Sequence, residues 1–144
     1  MATKIFVNLP VKDLNRSVDF FSKLGYSFNP QFSDENAKSM VISEDIIVML
    51  LTEPFFKNFT KKDIIDAGKS TETIISLSAD SRAEVDEKLD KAVAAGATMP
   101  NETIEMEGMY GRSFDDLDGH HWEYMFMDLS AINQEQPAAE TSAA

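Results

Sequence analysis

The sequence predicts an α+β fold built from two paired βαβββ modules, and three observations carry that prediction. Read along the chain, the elements run strand, helix, three strands, a connector, then strand, helix, three strands again. Each helix follows an aspartate, Asp13 or Asp80, and stops at a glycine, Gly25 or Gly96. Each half ends in an acidic turn that leads into an apolar strand, Glu44-Asp45 in the first and Asp118-Gly119 in the second. The modules are expected over about residues 4–52 and 71–128. A connector at 53–70 joins them into a single domain, 1–129, and a polar tail follows at 130–144. Each sheet then has one face for its helix and one face free. The expected form is a curved, half-barrel-like mixed sheet with helices outside and a cavity inside.

The elements follow in order. Lys4 to Pro10 alternates, with Ile5, Val7 and Leu9 on one face and Phe6 and Asn8 on the other. Asp13 caps a helix that runs to about Leu24, with Leu14, Val18, Phe21 and Leu24 as its apolar stripe. Tyr26 to Phe32, about Ala37 to Ser43, and Ile46 to Thr52 read as three strands. In the connector, Phe55, Phe56 and Phe59 punctuate a polar stretch with a short helix expected at Lys61 to Ala67. These phenylalanines either pack on the core or form the rim of a pocket. Thr71 to Ala79 is a strand, and Ser81-Arg82-Ala83-Glu84 is a capping box. The helix it opens carries Val85, Leu89, Ala92 and Val93 on one face. Strands around Thr103 to Met106, at Met109 to Asp115 and from His120 to about Asp128 complete the set. From Ser130 the composition turns to Ala, Glu, Gln, Pro, Thr and Ser, the signature of a disordered tail.

Composition narrows the function. The formal net charge of −12 argues against nucleic acid or an anionic membrane as partner, since both need a basic surface. No apolar run approaches the length needed to span a bilayer. The N-terminal residues run straight into a strand without a signal-peptide pattern, so a cytoplasmic location is expected. The absence of cysteine excludes disulfides, thiolate nucleophiles and Cys-ligated metals.

The unusual residue is Glu123, a carboxylate in the middle of the aromatic strand His121-Trp122-Glu123-Tyr124-Met125-Phe126. A buried charge is costly unless it is paired or holds a metal. Alternation puts His121, Glu123 and Met125 on one face and Trp122, Tyr124 and Phe126 on the other.

Two stretches carry a family resemblance. Val11-Lys12-Asp13-Leu14-Asn15-Arg16-Ser17-Val18-Asp19-Phe20-Phe21, ending at Leu24-Gly25, resembles the opening "V-x-D-L-x-x-S-x-x-F-Y…LG" of the vicinal oxygen chelate superfamily. Asp116-Leu117-Asp118-Gly119-His120-His121-Trp122-Glu123 resembles its "D-P-D-G-x-x-x-E". That group contains glyoxalase I, bleomycin-resistance proteins, fosfomycin-resistance enzymes and extradiol dioxygenases. The resemblance implies a divalent metal held by His or Glu on the inner faces of four strands, acting as a Lewis acid on a substrate with adjacent oxygens. Carried over position by position, the ligand sites fall on Phe6, on Leu50 (or Met49 if the register slips by one), on Ile74 and on Glu123. Only Glu123 is a metal ligand by type, so no resident cofactor is expected. A divalent metal would have to use Glu123 and His121.

The expected cavity face therefore holds Phe6, Asn8, Leu50, Ile74, Ser76, His121, Glu123 and Met125. Tyr110 is a candidate hydrogen-bond donor at the mouth. Arg112 is either a clamp for an anionic ligand or a salt-bridge partner. Glu123 is read as paired with Arg112 or a serine, as a contact for a ligand amine or hydroxyl, or as a general base. Two functions follow. One is a binding protein that sequesters, or acts on, a small hydrophobic or aromatic ligand. The other is a metal-dependent lyase or extradiol dioxygenase-like enzyme with a displaced site around Glu123 and His121. The resemblance also implies a homodimer, for which exposed sheet edges give a physical reason.

Overall fold

The computed structural model describes residues 2–131. The tail expected from residue 130 lies, from 132 onward, outside the described residues. The chain divides into two compact units. One holds the chain up to Glu72 together with Leu117–His120, and the other holds Thr73–Asp116 and the chain from His121.

In the first unit, β1 (Ile5–Val11), β2 (Ser27–Asn29), β3 (Ala37–Ser43) and β4 (Ile46–Thr52) form one mixed sheet in the order β1-β4-β3-β2. β1 and β4 run parallel, with Asn8 opposite Met49 and Leu9 opposite Leu50. Helix α1 (Leu14–Lys23) is capped by Asp13, whose carboxylate accepts the Arg16 backbone N–H. The helix buries Leu14, Ser17, Phe20 and Phe21, and Val48, Leu50 and Met40 are buried on β3 and β4. The stripe is thus shifted from the expected one: Phe20 joins it, and Val18 is only half-buried.

Two expected elements of this unit differ. The strand expected over Tyr26 to Phe32 stops at Asn29, because Pro30 has no N–H for the ladder. The Asn29 side chain accepts the Gln31 N–H instead and opens a 3-10 turn, Pro30–Phe32. The helix expected at Lys61 to Ala67 does not form. Helical structure comes earlier, as α2 (Glu53–Phe56) with a 3-10 turn at Lys57–Phe59. Thr52 caps α2 and Pro54 sits in its first turn, where a missing N–H costs nothing. Farther on, the Asp66 carboxylate captures the Gly68 N–H at 2.9 Å and bends the chain into a turn.

The second unit repeats the plan. β5 (Ile74–Ser78), β6 (Ile104–Met106), β7 (Met109–Asp115) and β8 (His121–Met127) are ordered β5-β8-β7-β6, with β5 and β8 parallel. Ser81 caps α3 (Arg82–Ala94) through the Glu84 N–H, and Glu84 reaches back to the Asp80 N–H at 2.6 Å, one residue earlier than a standard capping box. Val85, Leu89 and Ala92 are buried as expected, whereas Val93 faces solvent. Phe114, Trp122 and Tyr124 form the aromatic floor beneath α3, with the Phe114 and Trp122 rings stacked at 6.5 Å. The Trp122 indole N–H donates to Asp116 at 2.9 Å, so burial leaves no orphaned donor there.

The acidic turn of the second motif belongs to the first unit, and its chemistry explains the motif. Asp118 accepts the Lys12 backbone N–H at 2.9 Å and the Ser17 hydroxyl at 3.3 Å, and pairs with Arg16 at 3.5 Å. The carboxylate itself is 5% exposed. His120 lies beside it and bonds the Pro10 carbonyl through Nε2 at 2.7 Å. Gly119 holds φ +91°, and a Cβ there would lie 2.7 Å from the backbone of Ala67 and Gly68. Glycine is required on both counts.

Candidate functional site

Each unit packs its long helix, α1 or α3, on one face of its sheet and leaves the other face without one. In the first unit that face carries Phe6 and Asn8 from β1, Met49 and Leu51 from β4, and Ser39 from β3. Phe6 is 57% exposed. Leu50, expected on this face, is fully buried on the other side with Leu9 and Val48. The parallel register sets the parity: the residue opposite Asn8 is Met49, so Met49 takes the place assigned to Leu50.

α2 and its 3-10 turn stand over this face and enclose a cavity of about 400 Å³, lined by Asn8, Leu51, Phe56, Phe59 and Thr60. Phe59 meets Phe55 edge to face at 5.3 Å and remains 68% exposed. Of the two sequence readings for these phenylalanines, Phe56 and Phe59 answer to the pocket rim. The volume falls within the range typical of small-molecule sites, and an amide and a hydroxyl, from Asn8 and Thr60, among apolar side chains are their usual chemistry. A wider depression of about 700 Å³ at the start of α1 is lined largely by charged groups, among them Lys12, Asp13, Asp34, Glu35 and Lys38. It lacks the apolar walls that desolvate a ligand.

In the second unit the open face brings together Ile74 and Ser76 from β5 with His121, Glu123 and Met125 from β8, as alternation predicts. The Ser76 hydroxyl donates to Glu123 Oε1 at 2.5 Å, which makes the serine the partner of that carboxylate. His121 Nδ1 donates to Asp115 Oδ1 at 2.6 Å, and its Nε2 lies 3.4 Å from the Asn101 amide. Asp115 and Asn101 were not among the expected site residues. Asp115 is legible in retrospect, since the β7–β8 hairpin register sets it directly opposite His121. Met125 lies across Gly111, where a Cβ would meet its Cε at 2.6 Å.

Tyr110 and Arg112 belong to the opposite face. They pair with Phe126 and Tyr124 and point toward α3. The Tyr110 hydroxyl donates to Asp86 at 2.6 Å and Arg112 Nη1 donates to the same carboxylate at 2.9 Å. Arg82 covers the Tyr110 ring at 4.5 Å and pairs with Glu105. The Tyr110 hydrogen bond, and then that of Arg112, hold the Asp86 carboxyl below its usual value. The Asp86 hydrogen bond, with burial, raises the Tyr110 phenol. Arg112 is therefore the salt-bridge partner of its two sequence readings, and Tyr110 does not stand at a pocket mouth on the open face.

The repeated βαβββ modules with the two motifs at their ends define a class of fold, the one seen in solved proteins of the glyoxalase/bleomycin resistance/dioxygenase group. Residues 3–43 match the family described as bleomycin resistance protein-like N-terminal. A hypothetical protein from S. aureus is 31% identical, with 88% of this chain and 95% of that one covered and a TM-score of 0.74. A glyoxalase/bleomycin resistance protein/dioxygenase family enzyme from Burkholderia phytofirmans shares the fold at 14% identity, with coverage of 88% and 99% and a TM-score of 0.72. So does the fosfomycin resistance protein FosX from Listeria monocytogenes, seen with Mn(II) and 1S,2S-dihydroxypropylphosphonic acid, at 19% identity, coverage of 94% and 100%, and a TM-score of 0.68. Among functionally curated proteins none matches.

The superfamily's metal does not fit the donors of this chain. Phe6, Met49 and Ile74 stand at three of the four ligand positions, and none offers the carboxylate or imidazole a hard divalent ion takes. Glu123 and His121 are the donors of ligand type left on the open face of the second unit, and two such side chains fall short of the three or four that hold the ion. Among the described residues no three His, Cys, Asp or Glu side chains gather as a metal set.

Proposed function

We propose that this protein binds a small hydrophobic or aromatic molecule, sequestering it in the manner that the name of the bleomycin-resistance family implies, with no resident metal. The observation that carries this reading is the cavity of about 400 Å³ between Asn8, Leu51 and the Phe56–Phe59 turn. Its walls are apolar, and Asn8 supplies both a donor and an acceptor to orient a ligand. The exposed ring of Phe59 is the driving element. Covering roughly 70 Å² of it at about 25 cal/mol per Å² contributes about 1.7 kcal/mol, a factor of roughly fifteen in affinity. The proposal includes a homodimer, for which β1 and β5, each an edge strand, provide unpaired backbone.

NMR titration of the labelled full chain with 2-naphthol, after treatment with chelator, tests the reading. Saturable shifts at Asn8, Phe56, Phe59 and Thr60 are expected, weakened about tenfold in Phe59→Ala. Phe32→Ala serves as the control, since Phe32 is equally exposed but does not line the cavity. Weakening by both variants alike, or shifts without saturation, would overturn it.

A further inference from the structure

We infer that the open face of the second unit recognises an organic cation, a primary ammonium on a small apolar body, with Glu123 as its counter-charge. This goes beyond the cavity reading and concerns the other unit. It starts from the mismatch between the superfamily's metal and this chain's donors.

Glu123 sits at the centre of the open face, with Ser76 beside it on β5 and Ser113 beside it on β7. Its recorded partner among the described residues is neutral: the Ser76 hydroxyl, which fixes Oε1. The basic side chains of this unit are Arg82, Lys88, Lys91 and Arg112. The first three belong to α3, and Arg112 points to the α3 side, where Asp86 holds it. The lysines and arginines of this unit are thus sorted to one face of its sheet and this carboxylate to the other. His121 is nearby, and its Nδ1 is engaged by Asp115.

Apolar surface adjoins this polar centre. Met125 follows it on β8, and Ile74, 55% exposed, lies across from His121 on β5. A carboxylate flanked by Met125, His121 and serine hydroxyls, with the lysines and arginines of its own unit on the other face, matches an ammonium group: three N–H donors, one charge, and a hydrocarbon attached. One carboxylate does not compensate the dehydration of a divalent ion, which needs several anionic or imidazole donors. It does compensate a singly charged amine, whose apolar part Ile74 and Met125 can cover. Thioethers adapt to varied shapes, which suits a permissive floor.

The test compares two probes of one shape on the full chain, phenethylammonium and 2-phenylethanol, by NMR titration at neutral pH. The expected result is saturable shifts at Ser76, Glu123 and Met125, with the amine at least ten times tighter than the alcohol. Glu123→Gln should abolish that preference, and raising salt should reduce it. The inference is overturned if wild type binds the two probes equally. It is also overturned if folded Glu123→Gln keeps the preference, which would mean diffuse attraction to an acidic chain. Mn²⁺ added alone at twofold excess should leave these resonances sharp; stoichiometric broadening would restore the metal reading and overturn this one. The comparison on wild type stands even if the variant fails to fold. Because these resonances are separate from those of Asn8, Phe56 and Phe59, failure here leaves the cavity reading intact, and the converse also holds.

Discussion

Replacing Asp118 by alanine removes a carboxylate that Lys12, Ser17 and Arg16 share at the start of α1. The strongest is the charge-assisted bond from the Lys12 backbone N–H at 2.9 Å, worth about 1.5 kcal/mol. The Ser17 hydroxyl at 3.3 Å is a long contact, worth roughly 0.5 kcal/mol, and its loss strands a buried O–H. The Arg16 pair at 3.5 Å adds at most about 0.5 kcal/mol, because the guanidinium is half-exposed and screened. Asp118→Ala should therefore destabilise by about 2–3 kcal/mol, which lowers Tm by roughly 5–10 °C for a chain of this size. Asp118→Asn keeps an acceptor for Lys12, loses the charge and replaces the oxygen that accepts the Ser17 hydroxyl by an amide NH2, so it should cost less than the alanine, about 1 kcal/mol. Differential scanning calorimetry with urea titration of both variants measures this ordering. If Asp118→Ala melts within about 1 °C of wild type, the motif's aspartate does not hold the helix start, and the physical account of the motif is wrong.

Further predictions concern glycines and pH. Gly119→Ala meets backbone at 2.7 Å in a left-handed conformation and should cost about 2–4 kcal/mol, whereas Gly111→Ala meets only the mobile end of Met125 and should cost about 1 kcal/mol or less by urea unfolding. Asp86 has a folded pKa below 3.8, so its contribution is complete above that value and is lost as pH falls through the folded pKa; the urea midpoint of Asp86→Asn should therefore fall less steeply below about pH 4 than that of wild type. The Tyr110 phenol is raised above 10.0, so its contribution is present below that pH and is lost as pH rises through the folded value; Tyr110→Phe should flatten the alkaline limb of the same curve.

The fold was legible because its signals are local. The caps at Asp13 and Ser81, the helix-ending glycines and strict strand alternation place both modules and put Ser76, Glu123 and His121 on one face. What alternation does not supply is the parity of one strand against its neighbour. Leu50 and Met49 differ by one residue, and only the β1–β4 register decides between them. The choice between the two readings of Arg112, and the face of Tyr110, were open for a related reason: both are decided by pairing with Phe126 and Tyr124 across the hairpin. The connector was hardest. Its helix depends on a threonine cap and a first-turn proline at Thr52 and Pro54, while the stretch at 61–67, with a helical pattern, yields to the Asp66 turn. The cavity was only partly legible, since Leu51 and Thr60 reach Asn8 through contacts distant in sequence.

The central claim is that a small apolar molecule binds beside Asn8 and Phe59 without a metal. Calorimetric titration of 2-naphthol into the full chain, with and without chelator, tests it most directly. The account predicts saturable one-to-one binding, unchanged by chelator and about tenfold weaker in Phe59→Ala. Binding that disappears with chelator and returns with Mn²⁺ would contradict it, as would affinity untouched by loss of the Phe59 ring.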